Sequence, residues 1–475
     1  MAIAATLLLT NCTKDISNTL NHNPKSASVG IATALFLSGE RNLMINAMNT
    51  TNVGAAPFRV LSQEWAENAY VYESNYNFAA YNAPGGWFNT LYVGTIHQLE
   101  LAKQNFPNNF LGTPGQLRND IIISDILEIY SYYLLVSTYG NIPYSQAENA
   151  DIPFPKYDDS KTIYADLLTR IDTCINGLST ADAAMGGADQ IYGGDPTAWK
   201  KLAATLKFKM AMLNAQNDPT TTKTKVNEAI TTGVFTSDAD DALFTYDPSN
   251  PTNASPIWNA ISYSGRHDFG PGALLVNTMN TLNDPREPAY FTLYKGKYVG
   301  GVAGFVNVYA KYSDFGPALY TNNLPGNLVT YSQVEFLLGE AAARGFTADN
   351  PATHYNNGIM SSIIYWGGDT ATAMSYLANP AVAYGTAAGS WQQKFGYQEW
   401  IANYNNNWDS WTDIRRLGFP DINTVSPPLQ PASLFPVRLY YPPNETTSNP
   451  TNTAAAVAAL PGGQDVVTAK LFWEP

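Results

Sequence analysis

"YSQVEFLLGEAAARG", residues 331–345, followed by "HYNNGIMSSIIYWG", residues 354–367, sets the architecture. Apolar residues in the first stretch recur three and four positions apart, and Gly345 stands where a helix ends best on a residue free to turn left-handed. Pro351 restarts the chain where a missing N–H costs little, so the second stretch reads as a helix returning along the first. The unit is a helical hairpin. Each of its helices buries one stripe on its partner and needs a neighbouring pair to bury the rest.

The same texture recurs upstream. "GIATALFLSGERNLMINAMN" (30–49), "GGWFNTLYVGTIHQLELAKQNF" (85–106), residues 116–138, "KTIYADLLTRIDTCINGL" (161–178) and "PTAWKKLAATLKFKMAMLNA" (196–215) all read as helices joined by polar turns. The expected fold class is therefore mostly α: a tetratricopeptide-like platform of stacked hairpins, repetitive in architecture without a strict 34-residue sequence period. Residues 246–327 differ. "SGRHDFGPG" and "YTNNLPGN" signal loops, and "GFVNVYAKY" (304–312) alternates as a strand would. A second irregular region opens at "PVRLYYPPNETTSNPTN" (436–452). One domain is expected over 30–475, with helical repeats at about 30–245 and 328–365 and loop-rich, ligand-facing regions at about 246–327 and 366–475.

Composition bounds the function. A chain of 475 residues that is 45% hydrophobic and 14% charged can bury a large core, and its net charge of −13 argues against nucleic acid as a partner. "IIISDILEIYSYYLLV" (121–136) is apolar, yet Asp125 and Glu128 near its middle mark a buried helix rather than a membrane span. At the start, "LLLTNCTKD" (7–15) places Cys12 after an apolar run. Residues 1–12 read as the remnant of a lipoprotein signal, Cys12 as its acylated lipid anchor, and 13–29 as a flexible tether. Cys174 is then left without a partner and reads as a small buried hydrophobe.

Catalytic patterns are sparse. His22, His97, His267 and His354 are scattered and form no metal-ligand pair. "SDADDALF" (237–244) opens like a calcium loop but reaches Ser249 where the bidentate Glu belongs, so it reads as a turn, with an irregular calcium site as the alternative; no cofactor is expected. Asp409 and Asp413 have the spacing of a glycosidase carboxylate pair, but Arg415 and Arg416 follow at once, which favours an ion-pair cluster. Aromatic and amide side chains are abundant instead. "EWAENAYVYESNYNFAAYNAPGGW" (64–87) concentrates both, a mixture that suits stacking on sugar rings and bonding their hydroxyls, though part of it must fill gaps between helices.

The hairpin at 331–367 resembles the paired helices of the SusD/RagB nutrient-binding family, in which a helix ending A-E-A-x-x-R-G precedes a Y-x-x-G-I helix; here Gly339 stands for the Ala before Glu340. "YGNIPYSQA" (139–147) resembles the family's W-G-D-(I/V)-P-Y-S-E-A loop, with Tyr139 for Trp and Asn141 for Asp. "YDDSKTIYADLLTRID", "GGDPTAWKKLAATLKFKMAM", "WTDIRRLGFP" and "PVRLYYPPNE" follow in the family's order, so that the likeness spans about residues 60–445. It is closest to the SusD-like branch whose ligands are uncharacterised.

That resemblance implies a non-enzymatic, cell-surface lipoprotein of a Bacteroidetes outer membrane. It would sit as a hinged lid on a SusC-like TonB-dependent transporter and deliver glycan or peptide into it. By position, it implies ligand-binding residues Tyr70, Tyr72, Tyr76, Tyr81 and Trp87 from the first aromatic segment, and Tyr263, Arg266, His267 and Tyr320 from the loops before the 331 helix. Trp408, Trp411, Arg415 and Arg416 belong to the shared motifs and are assigned to structure. A helical scaffold that binds only protein, a peptide-binding relative and a surface glycoside hydrolase are the rival readings.

Overall fold

The structure, a computed structural model, describes residues 32–108, 110–422 and 435–475. Cys12, the apolar leader and the 13–29 tether lie outside the described residues.

Helices dominate. Helix α1 (Ala32–Arg41) runs into a π-helical stretch, Asn42–Met48, and α2 (Ala83–Asn89) runs through another, Thr90–Ile96, into α3 (His97–Asn105). Then come α4 (Pro114–Tyr139), α5 (Ser160–Gly177), α6 (Pro196–Leu213) and α7 (Pro219–Thr232). Their starts follow from sequence. The side chains of Thr113, Asp159, Asp195 and Asp218 each accept a backbone N–H of the first turn, with Pro at the first helical position of α4, α6 and α7. Further on lie α8 (Ala273–Leu282), α9 (Tyr331–Ala343), α10 (Pro351–Tyr365), α11 (Thr370–Leu377), α12 (Trp391–Ala402), α13 (Asn407–Leu417), α14 (Pro443–Ser448) and α15 (Pro450–Ala458). The Thr330 hydroxyl and the Gln333 side chain form a reciprocal capping box at the start of α9, and Gly345 beyond its end takes φ +73°.

Successive helices pack in chain order, α3 on α4, α4 on α5, α5 on α6 and α6 on α7; α9 then packs on α6, α10 and α12. Stacked hairpins thus share one continuous apolar core, which runs from Phe36 through Tyr130 and Trp199 to Trp408 and Trp473. The 26-residue α4 is long and apolar enough to cross a membrane, and 83% of its most apolar window is buried among its neighbours. A second core, built on Trp65, Tyr290, Phe315, Trp400 and Tyr404, lies beneath the irregular segments.

Strands serve as clasps. β1 (Trp65–Glu67) pairs antiparallel with β5 (Phe269–Pro271), β2 (Ile142–Pro143) with β3 (Tyr157–Asp158), and β4 (Ala242–Phe244) with β6 (Gly326–Val329). One expectation fails. Residues 304–312 form no strand, because the Asn307 side chain takes over the local backbone pairing: its amide donates to Glu67 O at 2.9 Å, Val302 O at 3.1 Å and Phe305 O at 2.8 Å, and its Oδ1 accepts the Val302 N–H at 2.9 Å. The stretch 366–475 also carries helices, with α11, α12, α13, α14 and α15 separated by irregular segments among its described residues. Gly, Asn and Trp obscure the helical signal there, and the core accepts them because α13 is almost wholly buried and α12 buries the face that carries Phe395, Trp400 and Ile401.

Candidate ligand-binding cleft

β1 brings the 64–87 segment against the loop that carries residues 263–271. The register sets Trp65 opposite Pro271, Ala66 opposite Gly270 and Glu67 opposite Phe269. The clasp is reinforced on one side, where the Asn68 N–H bonds Asp268 O at 2.7 Å and its amide bonds His267 O at 2.9 Å. Two segments about 200 residues apart in sequence therefore share one wall. The Cβ that any other residue would carry at position 86 falls 1.8 Å from Gly54 O, so Gly86 lets α2 close on the 51–56 turn that forms the rim.

Between these walls opens a cleft of about 580 Å³. Tyr70, Tyr81, Arg266, His267 and Tyr320 line it, together with Phe269, Asp268, Asp314 and Glu67. Trp65 is its buried backing, with ring centroids 5.8 Å from Phe269 and 4.4 Å from Phe315. Tyr70 is 56% exposed and held in left-handed backbone, φ +58°, a conformation costly for a bulky residue. It is fixed by the turn in which the Tyr72 N–H bonds Tyr70 O at 2.7 Å and the Asn75 amide bonds Val71 O at 2.7 Å and Gly304 O at 2.9 Å. An aromatic presented by a constrained turn loses little entropy on meeting a ligand.

The polar wall is equally ordered. Arg266 Nε donates to Asp268 at 2.6 Å on an exposed edge, and its Nη groups make no hydrogen bond among the described residues. The His267 ring stacks on Tyr309 with centroids 3.8 Å apart and planes 13° from parallel. Asp314 accepts the hydroxyls of Tyr309 and Tyr320, the latter at 2.8 Å. Burial and that carboxylate push the Tyr309 hydroxyl up to about 12 and the Tyr320 hydroxyl higher still. Glu67 accepts the Ser74 N–H at 3.1 Å and the Ser74 hydroxyl at 2.5 Å, and burial pushes it up to about 7. The cleft thus offers ring faces, a free guanidinium edge and carboxylates already held by partners, which suits binding a polyhydroxylated ring by stacking and hydrogen bonding.

Of the nine residues implied by resemblance, five meet in this cleft. Tyr72 flanks it, edge-on to Tyr81 at 5.6 Å. Tyr263 stacks on Trp258 at 5.3 Å, 64% exposed and outside the lining. Tyr76 and Trp87 are corrections. Both are core residues, 2% and 0% exposed, and Trp87 packs edge-on against Phe58 at 4.8 Å, so neither is open to a ligand. Phe269 and Asp268 share the "SGRHDFGPG" run with Arg266 and His267 and so the same positional signal; Asp314 carries none, since only the fold brings it under Tyr309 and Tyr320.

The other candidates are engaged elsewhere. Asp409 takes Lys209 at 2.6 Å and the Gln333 amide at 2.8 Å, while Asp413 takes Arg416 at 2.9 Å; both carboxylates sit between helices and face no substrate-sized opening. In the 237–244 run, Asp240 closes a one-turn capping box and pairs with Lys201 at 2.6 Å, and Asp241 accepts the Tyr331 N–H at 2.6 Å. Outside the cleft, His97 meets Glu148 at 2.8 Å and His354 meets Glu335 at 2.7 Å.

A family model described as starch-binding and associating with the outer membrane, of the SusD-like type, matches residues 24–442. The chain belongs to this SusD-like family. Solved structures share the fold. A chitin-binding protein superposes with TM-score 0.79 at 23% identity over 94% of this chain and all of its own. A SusD homologue from Bacteroides uniformis gives 0.79 at 24% over 94% and 99%, and a chitin-binding SusD homologue from Flavobacterium johnsoniae gives 0.79 at 20% over 94% and 98%. No curated protein matches the chain. The SusD-like family accounts for the mostly helical, tetratricopeptide-like platform described above.

Proposed function

We propose that this SusD-like protein captures a glycan in the cleft between the β1 and β5 segments and releases it, unaltered, to a SusC-like TonB-dependent transporter in the outer membrane, to which Cys12 tethers it by a lipid anchor. The observation that carries the reading is the cleft itself: Tyr70, Tyr81, Phe269 and Tyr320 gathered with an unsaturated Arg266 on loops fixed by a two-stranded clasp. Family membership supports a glycan, and the chitin-binding relatives extend the choice beyond starch. Capture without chemistry fits the carboxylates, each of which is held by neighbours. Delivery follows if the bound glycan touches the closed lid better than the open one, since only that difference shifts the equilibrium.

The test is calorimetric titration with maltooligosaccharides and chitooligosaccharides, with reducing ends assayed in the same tubes. Binding without new reducing ends is expected from one series, and Tyr70→Ala should weaken it by roughly 1 kcal/mol or more. Release of reducing ends would replace the reading with a hydrolase; no binding to any glycan would favour the peptide or scaffold alternatives.

A further inference from the structure

A second opening of about 610 Å³, within the usual range for small-molecule sites, lies between α8, the 302–305 loop, the 381–388 loop and α12. It shares no lining residue with the cleft already described. Its chemistry is also different. α8 presents Asn277 and Thr278, with Thr281 one turn on, and α12 presents Gln393, Lys394 and Tyr397 across from them. Thr278 and Thr281 donate their hydroxyls to Leu274 O and Asn277 O at 2.8 Å each, which leaves their oxygens as acceptors, and the Asn277 amide has no partner among the described residues. Between the walls lie Ala381, Ala387 and Ala388, small enough to form an apolar shelf, with Phe305 at one edge.

Lys394 is the one charged residue of the lining. Its ammonium donates to Tyr384 O at 2.8 Å and sits 5.2 Å above the Tyr384 ring, so it is held in place by neutral groups. Among the described residues it has no carboxylate partner, in a chain whose net charge is −13. A half-buried cation with donors to spare, beside an apolar shelf and the unpaired Asn277 amide, is complementary to a carboxylate on a neutral apolar body.

We propose that this second cleft binds small carboxylates of that kind, the anion on Lys394, any amide on Asn277 and Gln393, and the apolar part on the alanine shelf. A hydroxyl-rich neutral ring would leave Lys394 unanswered, and a cationic ligand would be repelled by it. The chemistry is shared by the C-terminus of a small apolar peptide and by a free short-chain acid.

The experiment is titration calorimetry of the full chain with three probes: N-acetyl-trialanine with a free carboxylate, the same peptide as its C-terminal amide, and hexanoate. The free-acid peptide, hexanoate or both should bind, and the amide should bind at least about tenfold more weakly. Binding of the peptide acid alone identifies peptide C-termini, and binding of hexanoate alone identifies free acids. Lys394→Met should lower the affinity by about tenfold or more. Ala388→Trp, at an exposed position whose replacement leaves the Tyr384 contact in place, should do the same by filling the shelf, whereas Arg266→Ala in the first cleft should change nothing. Equal affinity for acid and amide, no binding of any probe, or affinity unaffected by Ala388→Trp would each overturn the proposal.

Discussion

Glu73 lies fully buried behind the aromatic cleft, its carboxyl group against that of Glu67. Burial, then the nearby Glu67, pushes it up to about 8, while Glu67 is pushed up to about 7. Both values are raised, so the folded state holds protons that the unfolded chain gives up near its ordinary carboxyl value of 4.5. The stability these protons confer is complete below about pH 4.5 and is lost as pH rises through about 7 to 8. Thermal unfolding should therefore give a lower midpoint at pH 8 than at pH 6, and Glu73→Gln should flatten that decline; an unchanged slope in the variant would refute it. Burial also separates the aromatic residues by role. Tyr70→Ala should spare stability and weaken ligand binding, whereas Trp87→Ala should cost about 3–5 kcal/mol of stability, read by chemical denaturation, because it opens a cavity against Phe58. Sequence alone places these two residues in one aromatic run; only the turn geometry that lifts Tyr70 out and the helix that carries Trp87 inward tells them apart.

Among the elements, the 302–307 loop shows how one side chain can override a strand pattern. Alternating Phe305, Asn307 and Tyr309 satisfied the period of two, but no neighbouring strand offers this loop a ladder, and Asn307 supplies the hydrogen bonds instead. That amide also ties the loop to β1 through Glu67 O, and the Asn75 amide ties the same loop to the Tyr70 turn through Gly304 O. Asn307→Ala should loosen both. Hydrogen exchange at 65–76 and 302–307 should accelerate while exchange in α4 stays slow; uniform protection would contradict this linkage. The helices were legible because their periodicity, proline starts and glycine ends agree, as in α9 and α10. α12 is less legible because Trp, Gln and Tyr fill positions where a sequence pattern expects Leu or Ala.

Across the whole molecule, the stretches that carried the family resemblance turn out to be its joints. Lys209 of α6 and Gln333 of α9 converge on Asp409 of α13. Arg416 of α13 meets Glu340 of α9 and Asp413, and Arg344 meets Glu340 at 2.8 Å. Arg415 lies 3.4 Å above Trp411 and 4.5 Å from Trp473, and pairs with Glu474 at 3.2 Å. At the C-terminal end of α4, Arg438 reaches Tyr139 O at 3.2 Å and Tyr441 donates to Asn141 O at 2.9 Å. Motifs far apart in sequence are thus fixed to one another by buried polar contacts, and this is why they announce the fold and say little of the ligand. Arg416→Ala would leave Asp413 buried without its cation and Glu340 with Arg344 alone, and should cost about 3–5 kcal/mol in denaturant unfolding while leaving the cleft chemistry intact; a cost below about 1 kcal/mol would contradict a structural role. The cleft, by contrast, is built on loops whose residues pair only after the core has assembled, so five of its members could be placed by position while Asp314 and Glu67 could not.

The most direct test of the central claim is hydrogen–deuterium exchange of the chain with and without the oligosaccharide that binds it. Slowed exchange confined to residues 67–81, 263–269 and 309–320 is what glycan capture between the β1 and β5 segments predicts. Protection elsewhere, with those segments unchanged, would contradict it.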